Sequence, residues 1–539
     1  MTIAQENNRR RLIIVSNRGP IEHTIDKDGT LKARRGAGGM VTALQPAARF
    51  APPGSFTWIA VAMTEADRAI ASQQDASRTA ENPSAFSENT ASANGHPRLR
   101  RKSQDQKGQL PPTRYVNVPP AVYERYYDGI SNRILWCLQH YLWNTSEEPT
   151  FTAQQYQQWE QGYRIVNQAI ANTVCEEVAR RTSPALVMFQ DYHLYLVPGL
   201  VRERLEQEGR IAETILHHFI HIPWPTARYW QLLPRQMLKG IYQSLLANDL
   251  IGFQTERDMA NFAYSVQALV DDTKITQDKR GWCITWRGHT TLARSYPISI
   301  DVQEVLQEGA HGAHQYEREV CQMLGKFTFM RVDRVEPTKN IVRGFQAFEE
   351  LLKRRPDLAG SVRFLAFLVP SRQGLPSYKR YEREVRKIIQ KINTTYGRAD
   401  WKPIEAFFEN NRARAMAAMR YYDALLVNPV MDGMNLVAKE GPIVNQCDGV
   451  LILSEIAGAA QQLGEASLTI VPTDVEETTQ ALIRALEMPP DERRQRAQQI
   501  RTSIERNDLE AWLNQQFADV GEVARERATQ SPLQSGKGS

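Results

Sequence analysis

The chain has 539 residues, of which 42% are apolar and 24% charged, and a formal net charge of +5. This is the composition of a soluble globular protein with two large domains or three smaller ones. The charge is too small to argue for nucleic acid and suits an anionic small substrate. No apolar run approaches the ~20 residues of a membrane span, so no membrane partner is expected.

The N-terminal run LIIV is too short for a secretory signal, which points to the cytoplasm. RLIIVSNRGP reads as a first strand with Arg18 just past its end. The D-x-D pair of Asp26 and Asp28 lies in the polar stretch TIDKDGT, which reads as a hairpin turn rather than a metal site. In RRGAGGMVTAL, Gly38 and Gly39 precede a helix, where a glycine pair lets backbone approach a ligand. Residues Ser72 to Pro112 are rich in Ser, Asn, Gln and Ala and end near the basic run RLRRK. They read as a disordered insertion, with an arm for an anionic partner as the alternative. YERYYDGISNRILW contributes Tyr127 and Trp136, which suit either a sugar ring or the core. ALVMFQDYHL puts Asp191 at a strand terminus and ILHHFIHIPWP puts His221 at the next, where a hydrogen-bonded structural histidine is the commoner fate.

The scattered cysteines (Cys137, Cys175, Cys283, Cys321, Cys447) form no C-x-x-C pair and read as reduced thiols. After YPISID, the segment VQEVLQEGAHGAHQ has the glycine and polar content of a hinge, and the domain boundary is placed near Asp301. FTFMRV is then followed by DRVEPTKN, where Arg334 and Lys339 stand in a strand-to-helix loop. A guanidinium fork and a mobile ammonium suit a diphosphate; the plainer reading is a surface pair of Arg334 with Glu336. In VNPVMDGMNLVAKEG, a strand ends in an Asp-Gly turn and a helix start, the form of an anion-binding loop. Asp432 could accept from sugar hydroxyls, the backbone N–H groups of Gly433, Met434 and Asn435 face outward, and Glu440 could accept from a ribose. The same residues also suit a simple helix cap with surface charges beyond it.

Short apolar strands alternate with amphipathic helices in both halves, so the fold expected is α/β, with two Rossmann-like doubly wound domains facing across a cleft. The first domain covers residues 1–300 and the second 301–515; a last helix can pack back on the first domain before a tail at 516–539.

VSNRGP, GAGGM, YYDGISNRILW, QDYHL, HIPWPT, GFQTE, DRVEPTK, PSR and DGMNLVAKE occur in an order that resembles the trehalose-6-phosphate synthases. These are retaining glycosyltransferases of family 20 with the GT-B arrangement. The resemblance runs from about Leu12 to Leu513. It implies that Arg334 and Lys339 hold the donor diphosphate, Asp432 and the backbone of Gly433, Met434, Asn435 and Leu436 the glucose, and Glu440 the ribose. Gly39 would approach the diphosphate, and His221 the donor glucose. Arg18, Tyr127, Trp136, Asp191 and Arg372 would bind the acceptor, glucose 6-phosphate. Catalysis is then expected from Asp432, Arg334, Lys339 and His221, with UDP-glucose as co-substrate and no metal or cofactor. A homo-oligomer is compatible with the family. The sequence departs from the family at Asn340, Met431 and Pro472, where Gly, Arg and Asn are usual. Some stretches also resemble the validamycin-pathway pseudo-glycosyltransferase, which keeps open another phosphorylated acceptor such as glycerol 3-phosphate or a cyclitol phosphate. A catalytically silent sugar-phosphate sensor is the reading from outside the enzyme class. No D-x-D-x-[TV] phosphatase signature follows.

Overall fold

The apolar runs become strands because helices cover both of their faces. The computed structural model describes residues 10–25, 30–35, 39–81 and 112–530. The chain divides into two units, Met1–Gln139 with Trp143–Ser295 and Gln515–Ser539, and His140–Leu142 with Tyr296–Asn514.

In the first unit the strands are β1 (Arg11–Ser16), β2 (Ile21–Ile25), β3 (Leu31–Arg35), β4 (Phe56–Val61), β5 (Thr113–Val116) and β6 (Ala185–Gln190). They continue with β7 (Thr214–Ile220), β8 (Leu250–Phe253), β9 (Thr273–Asp278), β10 (Gly281–Trp286) and β11 (His289–Ser295). Nine of them form one sheet in the order β5-β4-β1-β6-β7-β8-β11-β10-β9. From β5 to β11 every pairing is parallel. The chain builds outward from β1 in one direction and then, from β6, in the other. That reversal makes the carboxyl ends of β1 and β6 a switch point, where open α/β sheets bind ligands.

The antiparallel edge β9-β10-β11 departs from the all-parallel expectation. A two-residue turn joins β10 to β11, with φ of 49° at Arg287 and 81° at Gly288, the left-handed pair that matches hairpin twist. β2 and β3 pair antiparallel with Ile25 opposite Leu31; Asp26, Asp28 and Gly38 lie outside the described residues.

The second unit has β12 (Phe327–Arg334), β13 (Val362–Val369), β14 (Ile404–Phe407), β15 (Ala424–Val427), β16 (Val450–Ser454) and β17 (Leu468–Ile470). All are parallel, in the order β14-β13-β12-β15-β16-β17. This is the doubly wound 3-2-1-4-5-6 order, and its switch point lies between β12 and β15. There the strands part. β12 pairs with β13 over its full length but with β15 only at Phe329 and Met330. Beyond that point the fully buried Arg331 lies between them, donating to Asp333 Oδ2 and the Lys339 carbonyl at 2.9 Å and to Asn428 Oδ1 at 3.3 Å.

Three sequence expectations are corrected. The segment read as a hinge after Asp301 is the helix Val302–Met323. Its glycines are packing positions: a Cβ on Gly312 would stand 2.4 Å from the Ala413 carbonyl oxygen, and one on Gly309 3.0 Å from Val444 Cγ1. The segment read as a disordered insertion begins as helix, since Glu65–Glu81 runs past Ser72. Gln74 pins it by donating to the Thr113 carbonyl and accepting from the Tyr115 N–H, at 2.8 and 3.1 Å; residues 82–111 lie outside the described residues. The stretch read as a tail from residue 516 is helical up to Gln530. Phe517, Val520 and Val523 on it are buried, and Phe517 stacks on Phe50 with ring centroids 4.2 Å apart. Residues 531–539 lie outside the described residues.

Two stretches of the first unit, Arg125–Leu135 and Trp159–Arg164, are π-helical, and the Trp136 N–H accordingly reaches back to the Ser131 carbonyl. They pack closely because Gly162 faces Arg125: a Cβ there would stand 2.6 Å from Arg125 Cβ. Gly162→Ala is expected to destabilise the protein by about 1–3 kcal/mol in denaturant titrations. Gly240, whose added Cβ would find Leu196 Cδ2 at 3.6 Å, is the control; Gly240→Ala in mid-helix should stabilise by up to about 1 kcal/mol.

Candidate active site

The second unit gathers its polar side chains on the loops that follow β12, β13 and β15. After β12 the chain passes from half-exposed Arg334 to fully buried Glu336 and a short turn, Pro337–Lys339. Asn340 then takes φ 55° and ψ 37° and opens the helix Ile341–Arg354. This left-handed conformation explains why glycine or asparagine is wanted at that position. The Asn340 amide also donates to the carbonyls of Asn428 at 3.0 Å and Pro472 at 2.6 Å. Two departures from the family pattern therefore meet in one hydrogen bond. Nothing in the structure explains Met431.

Glu336 Oε1 accepts from Arg372 Nη1 and Ser371 Oγ at 2.6 and 2.7 Å and lies 3.0 Å from Arg334 Nη1. Burial alone would raise its carboxyl, but Arg334 and Arg372 prevail and hold it at about 2. In the Arg334–Glu336 pair, whose plainer reading was a surface contact, the carboxylate is buried while the arginine stays about half-exposed. Sequence reading missed Glu336 as a site residue; its place between two cations and before Pro337 was the available signal.

The loop after β15 is longer than the sequence suggested: Asn428 to Leu436 separate the strand from the helix Val437–Val444. Asp432 accepts from the Lys339 ammonium and, at 3.0 Å, from the Asn435 amide. Burial would push its carboxyl up, yet the Lys339 charge outweighs that and holds it below the ordinary range. Asn435 has φ 75°. The loop is fixed from behind by Gly458, whose N–H donates to the Asp432 carbonyl at 3.1 Å; a Cβ on Gly458 would stand 1.8 Å from the Gly433 carbonyl oxygen. None of the backbone N–H groups of Gly433, Met434, Asn435 and Leu436 donates to another described residue. Lys439 instead points into the unit, bonded to the Ile298 carbonyl and Gln462 Oε1 at 2.8 and 2.6 Å. Glu440 stands in a separate cluster, its Oε1 accepting at 3.0 Å from Arg412, which Glu308 also holds.

In the first unit, Arg18 follows β1, about half-exposed, with Glu22 Oε1 3.8 Å away. Asp191 follows β6 in a strained conformation, φ 71° and ψ 177°. Its N–H bonds to the Phe219 carbonyl at 2.8 Å, its carbonyl accepts from His218 Nε2 at 3.1 Å, and its Oδ1 accepts from the His221 N–H at 3.3 Å. The loop after β6 is thereby tied to the end of β7 and the loop that follows it. His221 Nε2 lies 2.9 Å from Gln190 Oε1, which assigns the ring proton to Nε2 and leaves Nδ1 an acceptor. Tyr127 lies near-parallel to Tyr123 and to His193, with centroids 5.4 and 5.7 Å away. Trp136 is largely buried against Tyr192, and Gly39 begins the helix Gly39–Leu44. Among the described residues no group of three His, Cys, Asp or Glu side chains is placed to hold a metal ion. No helix there is long and apolar enough to cross a membrane.

Each doubly wound unit thus carries cations, carboxylates and a strained loop at the carboxyl ends of its strands, where such sheets bind ligands. Residues 10–522 match the family model described as Glycosyltransferase family 20. A bifunctional trehalose-6-phosphate synthase/phosphatase of Thermoproteus tenax is 34% identical over 72% of this chain, which spans 51% of that relative's length. A validamine 7-phosphate valienyltransferase of Streptomyces hygroscopicus is 30% identical, over 75% of this chain and 78% of its own. Among solved structures, an alpha,alpha-trehalose-phosphate synthase (UDP-forming) from Burkholderia vietnamiensis superposes with a TM-score of 0.75 at 27% identity, covering 96% of this chain and 98% of that one. The chain belongs to glycosyltransferase family 20.

Desolvation holds fully buried His217 and His218 and partly exposed His221 neutral, each pushed down to about 3. A folded-state value below the ordinary one of about 6.5 means that the unfolded chain takes up these protons first. Stability is therefore full above about pH 6.5 and is lost progressively as the pH falls towards 3. Calorimetry should show the melting temperature declining between about pH 6.5 and 5, above the range where most carboxylates titrate; a flat profile there would contradict three neutral rings.

Proposed function

We propose that this enzyme transfers glucose from UDP-glucose to glucose 6-phosphate with retention of configuration, giving trehalose 6-phosphate and UDP. The observation that carries the reading is the Lys339–Asp432 pair beside Arg334 at the switch point of the second unit. Arg334 and Lys339 hold the diphosphate. The Asp432 carboxylate and the N–H groups from Gly433 to Leu436 hold the glucose hydroxyls, and Glu440 accepts from the ribose. In the first unit Arg18, Tyr127, Trp136 and Asp191, and in the second Arg372, serve the acceptor. Gly39 lets backbone come close to the diphosphate.

The C1–oxygen bond to the departing diphosphate breaks as the acceptor oxygen bonds to C1 on the same face, and the acceptor proton passes to the leaving phosphate. Negative charge grows on that phosphate, so fixed cations stabilise the transition state more than the ground state. Asp432 is engaged with Lys339 and Asn435 and serves to bind rather than to attack C1. Neutral His221 offers Nδ1 to a glucose hydroxyl. No metal or cofactor has a part in this reading, and the cytoplasm is the compartment that fits it.

Asp432→Asn and Lys339→Ala are each expected to lower kcat/KM by about 10²–10³, measured as UDP release; near-wild-type rates in both would remove the assignment. With a panel of phosphorylated acceptors, mass spectrometry should find a disaccharide monophosphate from glucose 6-phosphate as the favoured product. Preference for glycerol 3-phosphate or a cyclitol phosphate would overturn the acceptor, and silence with every donor would favour a sensor.

A further inference from the structure

Two arginines with separate tasks share one oxygen atom. Arg334 ends β12 and Arg372 follows β13, yet their Nη1 atoms stand 3.0 and 2.6 Å from the same Oε1 of Glu336. Ser371 Oγ donates to that oxygen as well, at 2.7 Å. The Glu336 side chain has no solvent exposure, and its Oε2 is buried and accepts no hydrogen bond from the described residues. Arg372 is confined further by a backbone φ of 42° and by the Tyr378 ring, whose centroid lies 5.6 Å from its guanidinium carbon.

Like charges this close repel unless a counter-charge lies between them. A guanidinium carries five N–H donors, so bonding Glu336 through Nη1 does not exhaust it. We propose that Glu336 is a positioning residue that couples the donor-diphosphate and acceptor-phosphate sites by holding Arg334 and Arg372 on a single oxygen. The inference rests on the roles given above to the two arginines. It makes the two phosphate sites one electrostatic unit. Moving either arginine redistributes the Glu336 hydrogen bonds and shifts the other.

Steady-state kinetics of Glu336→Gln, Arg334→Ala and the double variant test this, with folding checked by melting temperature. Glu336→Gln should raise KM about tenfold for both UDP-glucose and glucose 6-phosphate, the loss expected when a charge-assisted hydrogen bond becomes neutral. With UDP-glucose saturating, the KM for unphosphorylated glucose should change far less than that for glucose 6-phosphate, and Glu336→Asp should recover part of both KM values. Arg334→Ala should raise the KM for glucose 6-phosphate as well as that for the donor, and adding Glu336→Gln should bring little further loss. A fall in kcat alone, an equal loss with glucose and glucose 6-phosphate, or an Arg334→Ala effect confined to the donor would overturn the coupling. Should Glu336→Gln fail to fold, the Arg334→Ala measurement decides by itself. If the wild-type protein neither turns over nor binds this substrate pair, the underlying roles of the arginines fail instead, and the two failures are told apart.

Discussion

The second unit is organised by a buried positive charge. The Arg331 guanidinium has no access to water and sits where β12 and β15 part. A charge so placed is tolerable only if acceptors surround it. They are the Asp333 carboxylate, the Asn428 amide and the carbonyls of Lys339 and Ile341. Lys339 lies on the loop after β12, Ile341 opens the helix that follows it and Asn428 lies on the loop after β15, so satisfying Arg331 requires both loops to fold inward together. Room for it comes from Gly344, where a Cβ would stand 2.5 Å from Arg331 Nη1. Once the Lys339 carbonyl is held, the Lys339 ammonium is delivered to Asp432. The reactive-looking pair is the outer layer of a network whose inner layer is Arg331.

Much of this was legible in the sequence. The runs LIIVS, ALVMFQ, VRFLAFLV and VLILS are strands because an apolar stretch of that length with both faces covered has little alternative. Residues at strand ends followed, since the doubly wound sheet places them at its switch points: Arg18, Asp191, Arg334 and Asp432. What escaped was whatever depends on distant partners. Glu336 looks like a surface carboxylate until Arg372 arrives from another strand. The glycines of the helix Val302–Met323 look like hinge residues until Val444 and Ala413 press on them. Helix formation past Ser72 depends on Gln74 meeting a strand some forty residues further along.

Two of the three departures from the family pattern, Asn340 and Pro472, are likewise local solutions rather than damage. Asn340 tolerates the left-handed conformation, and its amide adds bonds that glycine could not make, one of them to the carbonyl of Pro472. A proline lacks a backbone donor but keeps its acceptor, and that acceptor is the part used here. The loop that presents Lys339 is therefore held by Arg331 on β12 and by carbonyls on the loops after β15 and β17.

The final helix, Leu509–Gln530, has a consequence for how the polypeptide is made. From Gln515 onward it belongs to the first unit, where Asp519 and Glu522 pair with Arg280 and Arg527 pairs with buried Asp249. These partners are synthesised after the whole of the second unit, although the residues they pair with were made more than two hundred residues earlier. Throughout translation of the second unit the first has a seam in which Phe50 and Arg280 await their partners. Vectorial synthesis thus cannot finish the first unit before the second has been made.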